Sequence, residues 1–208
     1  MKELQPLGVP TLDEAERILK EAEQLNPGAW ADHSRNVALG AKIIAGKTRD
    51  MVPELAYILG LLHDIGRRYG KFGMRHGLDG YRFAWENGHP FLARICLSHI
   101  AFTYHSRIVI VGKWDGTQEE HQFVVDTLSA TDETDYDRLI RLCDYIAMPT
   151  GFCLIEKRLV DMALRGGLNE YTIPRWESTF QNKRYLEEKM GVSVYDVLPN
   201  VKENTFQS

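Results

Sequence analysis

The eight residues Leu61-Leu62-His63-Asp64-Ile65-Gly66-Arg67-Arg68 are the stretch around which this chain is organised. They overlap an apolar run over residues 55–62 that predicts a buried segment, so His63 and Asp64 come at the end of a buried element. Imidazole and carboxylate together are ligands for transition metals, and a buried carboxylate without a partner is costly. We therefore expect His63 and Asp64 to be half of a metal site whose other ligands lie elsewhere in the chain.

The composition is that of an ordinary globular protein, with 208 residues of which 44% are hydrophobic and 26% are charged. The length allows one sizeable domain, which we divide into an N-terminal helix (1–27), a helical core (28–150) and a C-terminal elaboration (151–208). The net charge of −4 provides no broad basic surface for a nucleic acid polymer or a membrane. The net charge does not exclude a local basic pocket. We expect the segment 151–208 to shape either the pocket or an oligomer contact.

Cysteine usage and the apolar segments indicate a cytoplasmic protein. Cys96, Cys143 and Cys153 form no CxxC pair and fall in apolar helical settings, which is typical of reduced thiols. The first residues have no apolar core of the secretory kind. No segment approaches the roughly 18 uninterrupted apolar residues of a membrane span. The sequence is also compatible with a homo-oligomer.

The hydrophobic periodicity predicts an all-α protein without a convincing sheet. Thr11 with Glu14 three residues on is a capping-box pattern at the start of the first helix. The β-branched run over 108–111 fits either a short strand or a helix continuation. Residues 191–208 predict a helical turn and a frayed tail. The predicted helices cover residues 11–24, 29–46, 53–67, 76–85, 90–101, 118–130, 135–148, 152–165 and 175–190.

Four further residues are candidate metal ligands because each lies on or beside the inward face of a different helix. Asp144 stands between Cys143 and Tyr145 in a strongly apolar helix, where a carboxylate needs a partner. The other three are His33, His76 and His99. Taken singly, each of the four can be a hydrogen-bonded residue without a ligand. As a set with His63 and Asp64 they match the way in which helical bundles build metal centres.

A shell of nitrogen and oxygen ligands without a thiol suits Fe, Mn, Zn, Co or Ni rather than a structural zinc of the cysteine kind. The neighbouring imidazoles and carboxylates suit two metals as well as one. Asp64 would then be the natural bridging ligand. The cofactor we expect is therefore a divalent transition metal, with one or two ions per chain.

The pattern resembles the HD superfamily of metal-dependent phosphohydrolases over residues 28–150. Its H…HD…D signature matches His33, His63-Asp64 and Asp144 in order, and residues 61–66 resemble the HDIG variant. His76-Gly-Leu-Asp-Gly80 and Ser98-His99 resemble the further histidines of dinuclear members. The resemblance implies an HD-type helical bundle with extra C-terminal helices. It also implies one metal on His33, His63, Asp64 and Asp144, and a second on Asp64, His76 and His99.

The resemblance to dinuclear members has two departures. No GYP motif follows His76 in the form found in cyclic dinucleotide hydrolases, and Ser98 stands where a paired histidine would be expected. Hydrolysis of cyclic dinucleotides is therefore not favoured.

A basic cluster beside the His-Asp pair suggests contact with phosphate. Arg67 lies one helical turn from His63, and a planar guanidinium pairs well with phosphate oxygens. Arg68, Lys71 and His105 are further candidates for substrate binding. Alternatively, these basic side chains have no ligand and simply lie in solvent at the end of a helix, where an arginine also complements the helix dipole.

These observations predict a metal-dependent hydrolase that cleaves a phosphomonoester, phosphodiester or phosphoanhydride of a small molecule, with a nucleotide as the leading candidate. A metal lowers the pKa of bound water from 15.7 toward about 7, which makes hydroxide available at neutral pH. Asp64 would orient that hydroxide, and Arg67 would complete the catalytic pair. Two alternatives remain, namely a non-catalytic regulatory or binding protein of the HD fold and a di-iron oxygenase of the same fold.

Overall fold

A computed structural model of the chain describes residues 8–70 and 73–206. Over these residues the protein is all-α, as predicted, with two very small sheets. The helices are α1 Leu12–Leu25, α2 Trp30–Ala45, α3 Pro53–Leu62, a 3-10 helix Ile65–Tyr69, α4 Arg75–Glu86, α5 Pro90–Ser98, α6 Gln118–Ser129, α7 Asp135–Ile146, α8 Ile155–Gly166, α9 Thr172–Met190, α10 Val194–Val197 and α11 Val201–Phe206. The strands are β1 Ala101–Tyr104, β2 Arg107–Ile110, β3 Ala147–Met148 and β4 Gly151–Phe152.

The first helix forms where the sequence pattern predicts it. The hydroxyl of Thr11 accepts a hydrogen bond from the backbone N–H of Glu14, which satisfies one of the free donors at the helix start. The apolar stripe Ala15, Ile18, Leu19 and Ala22 is buried. None of the helices in the described ranges is long and apolar enough to cross a membrane.

The centre of the molecule is the packing of α2, α3 and α7 around one hydrophobic core. Gly60 allows α3 to lie directly against the backbone of α2, because a Cβ atom at Gly60 would be 2.8 Å from the Cα of Ala38. Gly66 plays the same part at the start of α4, where a Cβ atom would be 1.9 Å from the carbonyl oxygen of His76. These two contacts bring the helices that carry the candidate ligands together.

The helix predicted over residues 53–67 is shorter than expected. It ends at Leu62, and His63 and Asp64 lie in a turn between α3 and the 3-10 helix. The backbone of Asp64 has φ −99° and ψ 15°, which is outside the α-helical region. The turn redirects the chain, so that the ring and the carboxylate face the interior beside α4 and α5.

The segment after α5 forms one of the two very small sheets, which is the strand alternative that the sequence left open for residues 108–111. Strands β1 and β2 form an antiparallel hairpin in which Ala101 pairs with Ile110 and Tyr104 pairs with Arg107. The predicted helix 90–101 therefore ends at Ser98, and the β-branched run over 108–111 is mostly strand. The predicted helices 135–148 and 152–165 are also shortened, because β3 and β4 pair around Pro149 and Thr150.

The C-terminal segment is more ordered than the predicted frayed tail. It continues into α10 and α11 up to Phe206, and the hydroxyl of Thr205 accepts a hydrogen bond from the backbone N–H of Leu154 at 2.9 Å. Leu186 of α9 and Val194 of α10 are fully buried in the main core. The helices after residue 150 thus pack onto the same core as α2 and α3.

Candidate metal centre

All six candidate ligands lie in one buried region. His33 comes from α2, His63 and Asp64 from the turn after α3, His76 from the first turn of α4, His99 from the residue after α5, and Asp144 from the last turn of α7. Two groups have ligand atoms within 4.8 Å of one another, and Asp64 belongs to both: His33, His63 and Asp64 in the first group, and Asp64, His76 and His99 in the second. This shared carboxylate is the arrangement expected for a bridging ligand.

The second group is the tighter of the two. The Oδ1 atom of Asp64 is 2.9 Å from Nε2 of His76 and 3.4 Å from Nε2 of His99. The two imidazole Nε2 atoms are themselves 3.1 Å apart. Three ligand atoms thus converge on one point.

Asp144 is not a member of the first group, but it contacts that group through His33. Nε2 of His33 is 2.9 Å from Oδ1 of Asp144. The rings of His33 and His63 have their centroids 5.5 Å apart, and Nε2 of His63 is 4.0 Å from Oδ2 of Asp64. His33 and Asp144 are the first and last residues of the H…HD…D signature. They are 111 positions apart in the sequence and in contact in the fold.

Backbone carbonyl groups orient three of the four imidazoles. Nδ1 of His63 is 2.7 Å from the carbonyl oxygen of Gly60, and Nδ1 of His99 is 3.3 Å from that of Ile95. Nδ1 of His76 is similarly bonded to the carbonyl oxygen of Gly73. Because a carbonyl oxygen only accepts, each Nδ1 carries the proton and each Nε2 directs a lone pair inward. This is the usual support of a metal-binding histidine.

The converging lone pairs fit a divalent metal. Oδ1 of Asp64 and the Nε2 atoms of His76 and His99 lie within 3.4 Å of one another, so a cation placed among them would be bound by three ligand atoms at once. Nε2 of His63 is buried and has no hydrogen-bond partner among the described residues, and neither has Oδ1 of Asp64. Imidazole nitrogens and carboxylate oxygens are ligands suited to Fe, Mn, Zn, Co or Ni.

The ionisation states in the cluster also suit metal binding. Burial acts to raise the pKa of Asp64, but the nearby Arg67 and His76 hold that pKa well below its usual range. Burial opposes ionisation of Asp144 too, yet His33 lowers its pKa. Burial lowers the pKa of His63 to about 4. The carboxylates are therefore charged and His63 is neutral at pH 7, which are the forms that bind metal.

Arg67 is the predicted phosphate contact that the structure places at the cluster. Its Nε–H donates to Oδ2 of Asp64 at 2.6 Å. The side-chain amide of Asn26 donates to the carbonyl oxygen of Arg67 at 2.6 Å and fixes its backbone. Arg67 lines the cavity beside the cluster.

The other predicted substrate contacts are not placed there. The guanidinium of Arg68 lies over the ring of Phe83, 4.3 Å from its centroid, and does not line the cavity. His105 is exposed at the turn between β1 and β2, with a positive φ of 47°, and also does not line the cavity. Lys71 lies outside the described residues.

The cluster opens into a cavity of about 800 Å³. His33, Asp64, His76, His99 and Asp144 all line it, together with residues of α8 and α9. Among the residues that the structure describes, the charged side chains of the lining, histidines aside, are the cations Arg67, Lys113, Arg158, Arg165 and Arg175 and the carboxylates Asp64, Asp144 and Asp161. These carry two more positive than negative charges, although the whole chain has a net charge of −4.

Arg158 and Arg175 reach the cavity from α8 and α9 and were not predicted from the sequence. A signal for them does exist. Arg158 falls in the stripe that Ile155 and Leu159 define, and Arg175 falls between the buried Thr172 and Thr179. A cation on the inward stripe of a helix needs a partner for the same reason as Asp144 does.

Fold and cluster together define an all-helical protein with a buried histidine–aspartate site of the kind that holds divalent metal. Comparison with protein-family models gives a match to the HD domain over residues 30–148, which is more than half of the chain. The chain therefore belongs to the HD domain family, whose members are mostly metal-dependent phosphohydrolases. No curated protein and no solved structure matched the chain.

Proposed function

We propose that the protein is a metal-dependent phosphohydrolase that acts on a small phosphorylated molecule. One observation supports this most strongly, namely the pair of buried ligand groups that share Asp64 and open into a cavity with an excess of positive charge. Such a lining favours an anionic substrate, and the cavity volume is within the range of about 300–1,000 Å³ for small-molecule sites.

The metal would be held by His33, His63, Asp64 and Asp144, and a second ion by Asp64, His76 and His99. When bound, it would supply hydroxide at neutral pH and neutralise charge on the phosphoryl group. The carbonyl bonds to Nδ1 keep the imidazoles in the required tautomer before the metal arrives. The site is thus preorganised by the chain itself.

Arg67 would orient the phosphoryl group. Its Nε–H is used by Asp64, so the terminal amino groups remain for phosphate oxygens in the cavity that Arg67 lines. The bond to Asp64 also fixes the plane of the guanidinium, which limits the entropy lost when substrate binds. Arg67 therefore couples the position of substrate to the shared carboxylate.

A nucleotide is the class of substrate that we propose to test first. The cavity wall includes the half-buried ring of Trp30 and the apolar side chains of Ile100 and Met148. The indole N–H of Trp30 donates to the carbonyl oxygen of Asn26 at 2.8 Å, which fixes the ring. An aromatic ring held in this way offers a surface for a nucleobase.

The experiment has two measurements on the full chain purified without chelators. Metal content per chain is determined first, and phosphate release is then measured over a panel of nucleotides and simple phosphate esters. The variant His63→Ala with Asp64→Ala should lose metal and turnover by more than the roughly 10–100-fold that removing a supporting group costs. His121→Ala, which alters a half-buried histidine outside the cluster, should change neither.

The proposal fails if the metal-loaded chain releases no phosphate from any member of the panel, or if the double variant keeps full turnover. Turnover that requires oxygen, with the spectrum of a mixed-valent iron pair, would instead identify an oxygenase. Metal-free protein with the His–Asp cluster intact would identify a binding module.

A further inference from the structure

The part of the cavity wall that α8 and α9 supply is rich in arginine. Arg158, Arg165 and Arg175 line it, with Asp161 as the single carboxylate that these two helices contribute to the described lining. All of these residues lie beyond residue 148, where the match to the family model ends. They provide none of the six candidate metal ligands, so the metal centre does not account for them.

Arg158 is poorly satisfied for a buried guanidinium. Its side chain is 13% exposed, and its one hydrogen bond to a side chain in the described structure joins Nη1 to Asp161 at 3.2 Å. Its Nε is buried without a partner. Asp161 is also shared with Arg165, at 2.7 Å. A guanidinium has five N–H donors, so Asp161 leaves most of those on Arg158 for another acceptor.

Arg175 has a similar surplus of donors. Its Nη1 donates to the carbonyl oxygen of Val111 at 2.6 Å, a bond that ties α9 to the segment after β2 and fixes the direction of the side chain. Its Nε is buried and also lacks a partner among the described residues. The carbonyl oxygen of Val111 is neutral, so the charge of Arg175 is not balanced by a carboxylate at this bond.

Tyr145 adds a third donor at the same wall. The residue is 4% exposed, and its hydroxyl has no hydrogen-bond partner in the described part of the chain. Tyr145 lines the same cavity as Arg158 and Arg175.

Three donor side chains without sufficient acceptors are costly to bury, since each unsatisfied polar group loses its hydrogen bonds to water. An anion with several oxygen atoms removes this cost. Guanidinium groups bind phosphate and carboxylate through paired, planar hydrogen bonds. The arrangement is therefore complementary to an anionic group with at least two oxygens.

We propose that Arg158, Arg175 and Tyr145 form a second anion subsite, which binds a phosphate or carboxylate of the substrate other than the phosphoryl group that reacts. The substrate would then be a small molecule with two anionic groups; this identification of the substrate rests on the proposed function. Arg67 already serves the reacting group through its bond to Asp64, whereas the two arginines of the new subsite lie on α8 and α9, which carry no candidate metal ligand, and Tyr145 follows Asp144 on α7. Specificity would thus come from the C-terminal segment.

The test is a calorimetric titration of the full chain, as purified and with its metal content measured, with inorganic phosphate. We expect two saturable phosphate sites. Arg158→Gln and Arg175→Gln should both weaken phosphate binding at the same site, the proposed subsite, by about tenfold or more, as expected for loss of a charged hydrogen bond. Phosphate binding at the second site, beside Arg67, should stay unchanged in both variants. Arg67→Gln should weaken phosphate binding only at the site beside Asp64. Arg35→Gln, at a surface pair with Glu23, should weaken neither.

Lysine variants show whether the weaker phosphate binding of the glutamine variants is due to misfolding. Arg158→Lys and Arg175→Lys keep the charge and lose the planar fork, so each should weaken the site less than glutamine does while thermal unfolding stays as in the wild type. Tyr145→Phe should weaken the same site and leave the Arg67-dependent site intact.

Three results would overturn the subsite: no saturable phosphate binding, glutamine variants at 158 and 175 that bind as the wild type does, or a single phosphate that requires Arg67 together with both other arginines. The last result would mean that one phosphoryl group contacts all three. Failure of the proposed function looks different, because a chain without metal or hydrolysis would still bind the phosphate that depends on Arg158 and Arg175.

Discussion

Replacing Gly66 with alanine should separate two parts of the metal centre. The Cβ atom of alanine would lie 1.9 Å from the carbonyl oxygen of His76 and 2.5 Å from the backbone nitrogen of Gly80. Both are backbone atoms, so no side chain can rotate away to make room. Since Cβ atoms essentially never approach closer than 3.0 Å, the 3-10 helix and α4 must move apart by about 1.1 Å.

The expected cost follows from this displacement. Overpacking a core typically costs about 1–3 kcal/mol and sometimes more, and a clash between two backbones belongs at the upper end. For a chain of this size, a loss of about 3 kcal/mol lowers the melting temperature by roughly 6–12 °C. The 2.9 Å separation of Asp64 and His76 would open by a similar 1 Å, beyond the tolerance of about 0.2 Å for metal–ligand distances.

Thermal unfolding and metal analysis of the variant measure the two effects. Gly66→Ala should unfold at lower temperature and bind less metal at the group of Asp64, His76 and His99. Gly166→Ala is the matched control, because a Cβ atom at this last residue of α8 meets nothing within 4 Å. It should leave the melting temperature unchanged or slightly higher. An equal melting temperature for Gly66→Ala and the wild type would refute the packing argument.

Two further predictions concern other parts of the fold. In Gly60→Ala the new Cβ atom would lie 2.8 Å from the Cα of Ala38, so α3 should move away from α2 by only a few tenths of an ångström. The variant should weaken metal binding at His33 more than at His99. Metal analysis and melting temperature check this. Burial disfavours ionisation of Asp135, but Lys189 lowers its pKa, so this pair stabilises the fold above the ordinary carboxylate pKa and loses that effect as pH falls. Asp135→Asn should therefore lower the melting temperature at pH 7 and make no difference at pH 2.

The helical class and the ligand set could be predicted from the sequence because both leave periodic signals. Polar residues on apolar helix faces mark positions that need partners, and the sequence has few of them. His33 and Asp144 were identified in this way, and the structure places their side chains 2.9 Å apart. Their distance could not be predicted, because it depends on how α2 packs against α7 in the tertiary structure.

The hairpin after α5 shows where periodicity is insufficient. Ile108, Val109 and Ile110 are β-branched residues in a short apolar run, which fits a strand and a buried helix equally well. The hairpin is decided by its turn, where His105 and Ser106 both have positive φ. Neither residue is a glycine, so the turn leaves no strong mark in the sequence. His105 lies at this turn and does not line the cavity, and a substrate contact by His105 stays a prediction.

Arg158 of α8 and Arg175 of α9 resemble the candidate metal ligands, because each is a charged residue on a buried helix face. Ile155 and Leu159 bury one face of α8, and Arg158 shares that face as Asp144 shares the face of α7. Arg175 stands one turn before the buried Thr179 in α9. A charged residue in such a position requires a partner whether its charge is negative or positive. For Asp144 the chain supplies His33, whereas for Arg158 and Arg175 it supplies too few acceptors, so their main partner should be the substrate.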